Sequence, residues 1–368
     1  MIKVMVIFGT RPEAIKVAPV IKELQTRPET TPIVCVTGQH RQMLDQVLKA
    51  FDIVPDFDLN IMQQGQTLAD ITTRVLKGME EVFTQVKPDI ILVHGDTTTT
   101  FAASLAAFYH QIPIGHIEAG LRTYNKYAPY PEEMNRQMVS NLSDIHFAPT
   151  KETKENLIRE NKKENSIIVT GNTAIDALKT TVIKDYKNDI IDELENKRII
   201  LLTAHRRENL GKPLENIFKA VKRIVAEYQD VVVIYPVHKN PQIRKKVEEL
   251  FEGEDRIKLI EPLDVFDFHN FISKSYFILT DSGGIQEEAP AMGKPVLVLR
   301  DTTERPEGVE AGTLKLVGTN EENIYQRTKE LLDSPQEYER MSKSANPYGD
   351  GNASKRIVDE IIKRNWEK

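Results

Sequence analysis

The sequence predicts an α/β protein made of two doubly wound halves that face each other across a cleft. Three observations carry this. Short β-rich runs alternate with helical patterns along the whole chain, as βαβ units and parallel sheets require. The alternation falls into two series of similar length, separated by a polar Lys/Asp/Asn-rich stretch from Lys179 to Lys197. Nearly every notable polar cluster sits just after a strand, where open parallel sheets bind their ligands. Both halves are therefore Rossmann-like.

The elements follow in order. Lys3–Phe8 is apolar but short, and it runs into the charged Arg11-Pro12-Glu13 segment, so it reads as a first strand and not a signal peptide. Pro12 suits the first position of a helix, which continues as Ala14–Gln25. Pro32–Val36 is the next strand, with Cys35 as a small core residue. Helical patterns over Arg41–Lys49, Leu68–Gln85 and Thr98–Tyr109 alternate with strands Ile90–Val93 and Ile112–His116. Leu121 to Pro131 is rich in Tyr, Gly and Pro and reads as a mobile loop, ending at a helix start, Glu132-Glu133-Met134-Asn135-Arg136. Ile145–Ala148 and Ile167–Thr170 close the first series. The second comprises Arg198–Thr203, Val231–Tyr235, Ile257–Ile260, Tyr276–Leu279 and Pro295–Leu299, again separated by helices. A last helix near Ser354 to Trp366 has Ile357, Val358, Ile361 and Ile362 on one face.

Composition narrows the function. A chain of 368 residues suggests about two domains. Hydrophobic content of 40% and charged content of 28% suit a soluble globular protein. The 49 basic and 55 acidic residues are well mixed and leave a net charge of −6, which argues against a general nucleic-acid binder. Any anionic ligand is held by local groups. A single cysteine excludes an internal disulfide framework. No apolar run approaches the roughly 20 residues of a membrane span, so no membrane partner is expected and the chain reads as cytoplasmic.

The chemistry lies in the polar clusters. In Asp281-Ser282-Gly283-Gly284-Ile285-Gln286-Glu287-Glu288, a strand, a Ser-Gly-Gly turn and a helix start make an anion site, and glycine lets a diphosphate approach the backbone. Glu288 lies one helical turn further on, within reach of a ribose. No G-x-x-x-x-G-K-[ST] loop occurs, which favours a nucleotide-sugar over a nucleoside triphosphate. The plainer reading of the same residues is an Asp-capped helix. After the first strand, Arg11 and Lys16 flank a helix start and can add full charges to an anion site; Gly9-Thr10-Arg11-Pro12-Glu13 is not G-x-G-x-x-G, so nicotinamide binding is not supported. His94-Gly95-Asp96 and His116-Ile117-Glu118-Ala119-Gly120 end two consecutive strands. With Glu132, three carboxylates, Asp96, Glu118 and Glu132, are expected to converge, where burial and mutual repulsion tune them for acid or base work. Helix-dipole stabilisation alone would also place Glu132 in a first turn. His94, Asp96, His116 and Glu118 have spacing that permits metal ligation, but no H-E-x-x-H helix accompanies them, and the expectation is no metal. His205 ends a strand beside Arg206 and Arg207, suited to phosphate contact or to leaving-group departure, with Glu208 as a neutralising alternative. His238 reads as a ligand contact or a turn residue, and Arg300–Glu307 as a charged loop able to hold phosphate through an arginine.

Taken together, Gly9–Glu13, His94–Asp96, His116–Arg122, Pro131–Arg136, Thr203–Asn209, Asp281–Glu288 and Arg300–Glu307 resemble, in order and over nearly the whole chain, the non-hydrolysing UDP-N-acetylglucosamine 2-epimerases. The resemblance implies a fold like that of the GT-B glycosyltransferases. Residues 1–178 would form an N-terminal domain with the catalytic carboxylates, rejoined by a C-terminal helix at 352–368, and residues 179–351 a UDP-binding domain. It implies reversible inversion at C2 between UDP-N-acetylglucosamine and UDP-N-acetylmannosamine through elimination and re-addition of UDP, with 2-acetamidoglucal between, no cofactor, and a homodimer. The catalytic set it implies is Asp96, Glu118, Glu132 and His205. The implied UDP contacts are Arg11, Lys16, Ser282, Gly283, Gly284, Glu288 and Arg305. Gln39, His40, Gln42 and His238 resemble an activator site for a second UDP-N-acetylglucosamine. The competing readings are a GT-B glycosyltransferase using a UDP-sugar donor, a metal hydrolase on His94, Asp96, His116 and Glu118, and a non-catalytic UDP-sugar sensor.

Overall fold

A computed structural model describes residues 1–38, 41–206, 209–237, 241–251, 253–303, 305–364 and 366, with the backbone alone for residues 41–43, 241, 242 and 245. The chain separates into two compact units, Met1–Ala177 with Tyr348–Lys368, and Leu178–Pro347.

The first unit runs β1 (Ile2–Phe8), α1 (Arg11–Thr26), β2 (Thr30–Val36), α2 (Arg41–Ala50), β3 (Phe57–Asp58), α3 (Leu68–Gln85), β4 (Ile90–His94), α4 (Thr98–Tyr109), β5 (Ile114–Ile117), α5 (Glu132–Leu142), β6 (Ile145–Ala148), α6 (Lys151–Arg159), β7 (Ile167–Val169) and the start of α7 (Thr173–Thr181), within which the division at Ala177 falls. Its seven strands lie in the order β3-β2-β1-β4-β5-β6-β7, every pair parallel. The all-buried runs of β4 and β5 are what a parallel sheet with both faces covered selects. Cys35 sits in this core among Met5, Ile7, Met79 and Val93, and burial pushes its thiol up to about 12, with Asp58 and Asp56 adding to the shift.

The second unit runs α8 (Asp189–Asp192), β8 (Arg198–Thr203), α9 (Lys212–Glu227), β9 (Val231–Pro236), α10 (Pro241–Phe251), β10 (Ile257–Ile260), α11 (Val265–Lys274), β11 (Phe277–Thr280), α12 (Ile285–Ala291), β12 (Val296–Val298), α13 (Pro306–Glu310), β13 (Leu314–Leu316), α14 (Glu321–Asp333) and α15 (Pro335–Ser342). Its six parallel strands lie in the order β10-β9-β8-β11-β12-β13. One apolar cluster covers each face, around Phe218 and Tyr235 on one side and Phe271 and Ile234 on the other.

The last helix, α16 (Ala353–Lys363), belongs to the first unit. Ile357, Val358 and Ile361 are fully buried, each contributing about 1.5–3 kcal/mol. Ile362, expected on the same face, is only half-buried. The helix packs beside α1, where Arg27 meets Asp359 at 2.8 Å. Its N-terminus is capped from another helix: Asp176 of α7 accepts from the backbone N–H groups of Ala353 at 3.1 Å and Ser354 at 2.7 Å. No helix among the described residues is long and apolar enough to cross a membrane.

In both sheets the order reverses next to the first strand of the series, between β1 and β4 and between β8 and β11. Connections leave in opposite directions there and open a crevice at the carboxyl ends. The loops at those ends are Gly9–Thr10 and Gly95–Asp96 in one unit, and Ala204–Arg206 and Asp281–Gly284 in the other.

Candidate active site

The first crevice is organised by a buried acid. Thr10 caps α1, and Glu13 reaches back to accept from the N–H of Thr10 at 2.9 Å and of Gly9 at 3.1 Å. Its other oxygen accepts from the hydroxyls of Thr97, the cap of α4, at 2.8 Å and Thr100 at 3.1 Å. One side chain thus locks the starts of α1 and α4 together. Burial raises the pKa of Glu13, partly offset by these donors.

Glu118 leaves β5 in the left-handed region at φ 62°. That conformation is costly for a residue with a Cβ and is held by its surroundings. Lys16 of α1 forms an ion pair with Glu118 Oε2, and Asn172 Nδ2 donates to the same oxygen at 3.1 Å. Gly120, two residues on, has φ 93°, and a Cβ there would lie 2.2 Å from the carbonyl oxygen of Thr153; only glycine fits. His94 Nε2 stands 3.8 Å from Glu118 Oε2, beyond hydrogen-bonding distance. Burial lowers His94 to about 4 and His116 to about 3, so both rings are neutral near pH 7. His116 Nε2–H donates to the carbonyl of Gly95 at 2.7 Å, which fixes the turn that presents Asp96.

Asp96 is held from α5. Arg136 meets Asp96 Oδ2 at 2.5 Å, and Asn135 Nδ2 donates to the Asp96 carbonyl at 2.9 Å. Glu132, Asn135 and Arg136 share one face of that helix by their spacing, so Glu132 lies on the side turned to Asp96. Glu132 Oε2 is buried with no hydrogen-bond partner among the described residues. Its neighbour Glu133 is buried and accepts from the N–H groups of Thr123 at 3.0 Å and Tyr124 at 3.1 Å, which anchors the Tyr-rich loop. Burial would raise the Glu133 carboxyl, but these donors, Gln137 and Arg136 hold it below the usual range.

In the second unit Asp281 has a different job from the helix cap that the sequence allowed. Its Oδ2 accepts from the N–H groups of His205 and Arg206, both at 2.9 Å, and from Asn209 Nδ2 at 3.0 Å. Its Oδ1 lies 3.2 Å from His205 Nδ1, an arrangement that turns Nε2 away from the carboxylate. Burial works to raise the Asp281 pKa, yet His205 and the two backbone donors bring it below the usual range. The cap of α12 is Gly284, with no side-chain hydrogen bond. That helix has seven residues and includes Pro290, so its dipole is short, and the anion reading rests on the Ser282-Gly283-Gly284 turn itself. Among the described residues, the N–H groups of Gly283, Gly284 and Ile285 have no protein acceptor. Glu288 lies 3.5 Å from Nε2 of buried His269, whose Nδ1 is 2.7 Å from Thr181 Oγ1. Arg305 meets Glu287 at 2.8 Å, one turn from the glycines.

The structure thus groups Lys16 with Glu118, places Asp96 beside the helix that begins at Glu132, and joins His205 to Asp281. Arg11 is the first residue of α1 and half-buried. Gln39, His40, Arg207, Glu208, His238 and Glu304, and the side chain of Gln42, lie outside the described residues. Sequence reasoning assigned no role to Glu13, Arg136, Asn172 or His269. The i, i+4 spacing of Glu132 and Arg136 was a signal for one of them, and the position of Asn172 just past a strand was a signal for another.

Two parallel sheets with strand-end crevices, and carboxylates held by cations and amides within them, define an α/β protein of two doubly wound units with a candidate site at the carboxyl ends of its strands. A family model described as UDP-N-acetylglucosamine 2-epimerase matches residues 22–362. A Bacillus subtilis (strain 168) protein named UDP-N-acetylglucosamine 2-epimerase is 66% identical over 361 residues, 98% of this chain and 95% of that protein. A crystal structure of a UDP-N-acetylglucosamine 2-epimerase superposes with a TM-score of 0.93 at 64% identity, covering 98% of this chain and 95% of the other. The UDP-GlcNAc 2-epimerase of Neisseria meningitidis, solved bound to UDP-GlcNAc, has a TM-score of 0.87 at 52% identity, covering 99% and 100%. The chain belongs to the UDP-N-acetylglucosamine 2-epimerase family.

Proposed function

We propose that this protein interconverts UDP-N-acetylglucosamine and UDP-N-acetylmannosamine by elimination and re-addition of UDP. The observation that carries the reading is the set of held carboxylates at the β4 and β5 ends, with Asp96 on Arg136 and Glu118 on Lys16. The C2–H of the sugar has no carbonyl to acidify it, so its removal must be coupled to loss of the group at C1. A carboxylate takes the C2 proton, the electron pair forms the C1–C2 double bond, and the C1–O bond breaks with its pair leaving on UDP. The product, 2-acetamidoglucal, then takes UDP back at C1 while a proton returns to C2 from the opposite face. Asp96, Glu118 and Glu132 are the proton-handling groups in this reading. The diphosphate sits at the Ser282-Gly283-Gly284 turn with Glu288 at the ribose, and Arg11, Lys16 and Arg305 supply cations. His205, oriented by Asp281, stabilises the charge that develops on the leaving diphosphate.

The same reading has the enzyme act as a homodimer and supply N-acetylmannosamine units for bacterial surface polysaccharide. Incubation with UDP-N-acetylglucosamine in D₂O, followed by NMR, tests the chemistry. The expected result is UDP-N-acetylmannosamine with deuterium at C2 in both sugars and no acceptor required. Absence of C2 exchange, or turnover only when an acceptor sugar is added, would refute it; the second result would favour glycosyl transfer.

A further inference from the structure

Two of the partners of Glu118 among the described residues differ in kind. Lys16 is a cation that, in the reading above, also faces the diphosphate, so bound substrate draws its charge away from Glu118. Asn172 carries no charge for the diphosphate to compete for, and its Nδ2 donates to Glu118 Oε2 at 3.1 Å. The direction of the Asn172 amide is not free to change. Its Oδ1 accepts from the backbone N–H of Ala174 at 2.9 Å, at the start of α7, and this forces the NH₂ group toward Glu118.

The backbone beneath that amide is fixed as well. Asn172 N–H donates to the carbonyl of Tyr348 at 2.7 Å, where the chain re-enters the first unit. Gly171, at φ 90°, packs so closely on this returning segment that a Cβ would come within 3.2 Å of Gly349 Cα. Asn172 therefore stands on two backbone segments held in register. That is the kind of support a carboxylate needs when its own backbone sits at φ 62°.

We propose that Asn172 is a positioning residue for the epimerase reaction: it holds the Glu118 carboxylate in its working orientation while Lys16 is engaged by the substrate diphosphate. This rests on the functional reading above. Two variants of the full chain test it. Asn172→Asp keeps an oxygen for Ala174 N–H but turns a second carboxylate toward Glu118. Asn172→Ser keeps a shorter acceptor and loses the reach of the donor. Both are expected to lower kcat about 10²-fold, the usual cost of a reacting group displaced by about 1 Å, with KM within about threefold of the parent. The two variants differ in pH dependence. In Asn172→Asp the acid limb of the kcat–pH profile moves up by about one unit, because a like charge disfavours ionisation of Glu118, and in Asn172→Ser it stays in place.

A purely structural role would lower thermal stability and leave kcat of the folded Asn172→Ser variant near that of the parent. The inference is overturned if folded Asn172→Ser keeps kcat within about threefold of the parent, or if the loss in either variant falls on KM alone. An unmoved acid limb in Asn172→Asp also overturns it. If the parent protein itself fails to exchange deuterium at C2, the epimerase reading falls and this assignment with it. With the parent active, the other outcomes bear on Asn172 alone.

Discussion

Asp281→Asn removes one charge and almost no volume. In the parent, Asp281 is fully buried, and a single oxygen accepts two backbone N–H groups and one side-chain amide, all between 2.9 and 3.0 Å. Hydrogen bonds to a charged acceptor contribute about 1.5–3 kcal/mol and neutral ones about 0.5–1.5, so neutralising the acceptor loses about 1 kcal/mol at each of three donors. The expected destabilisation is about 3 kcal/mol. For a unit of this size that lowers the Tm of the transition containing the second unit by about 6–12 °C. Because the folded-state pKa of Asp281 is depressed, its stabilisation is fully present above the unfolded value near 3.8 and is lost as pH falls through the folded value. Differential scanning calorimetry of parent and variant from pH 8 to pH 3 should show a constant Tm gap down to about pH 5 that narrows below about pH 4. The variant also frees the ring of His205, whose Nδ1 sits 3.2 Å from the carboxylate, so kcat for epimerisation should fall about 10²-fold while UDP still binds. A Tm within 2 °C of the parent at pH 7, or a gap that widens on acidification, would refute the argument.

Three other changes follow from the same kind of reasoning. Glu13→Gln preserves the carbonyl that Gly9 and Thr10 need and offers an NH₂ to the hydroxyls of Thr97 and Thr100; because the folded pKa of Glu13 is raised, parent stability falls as pH rises above the unfolded value of 4.5, so by calorimetry the variant should gain on the parent between pH 4 and pH 7, and a relative loss over that range would refute it. Asp176→Ala deprives α16 of its only side-chain cap among the described residues, which should cost about 1–2 kcal/mol and speed hydrogen exchange of the amides of Ala353 and Ser354, with unchanged exchange there counting against the capping role. Cys35, fully buried with its thiol pushed up to about 12, should react with a thiol reagent at pH 8 only as fast as the first unit opens, so labelling as rapid as that of a free peptide thiol would refute its place in the core.

What the sequence made legible was local. Long apolar runs gave the central strands of both sheets, and the boundaries moved by only a residue or two, as where Ile112–His116 became Ile114–Ile117. The strands that pattern reading did not find, Phe57–Asp58 and Leu314–Leu316, are two and three residues long and lie at sheet edges, too short to show any period. The loop clusters were legible too, because a turn after a strand announces itself by composition. The partner of each candidate site residue was not. Lys16 and Glu118 are separated by 102 residues, His205 and Asp281 by 76, and Asn172 and Glu118 by 54, and no periodicity reports such pairings. Asp281 shows the consequence. Read locally it is a helix cap, but the neighbouring strand β8 ends at the same level, so its loop N–H groups reach the carboxylate before the helix can use it.

The same geometry explains why the candidate site residues gather where they do. In a parallel sheet all strands end on one side, so residues following β1, β4, β5 and β7 are brought together however far apart they lie in the chain. Lys16, Asp96, Glu118 and Asn172 come from four such strand ends or from the helices that follow them, which lets one carboxylate be gripped from α1 on one side and from the start of α7 on the other. A carboxylate held by a single mobile cation would swing when substrate competed for that cation. Held by a cation and an amide, it keeps its direction when the cation is drawn away, and this requires the second grip to come from a backbone segment that the substrate does not touch. The close approach of Gly171 to Gly349, with the Asn172 N–H bonded to the Tyr348 carbonyl, anchors Asn172 to the returning chain, a segment distinct from α1, which carries Lys16.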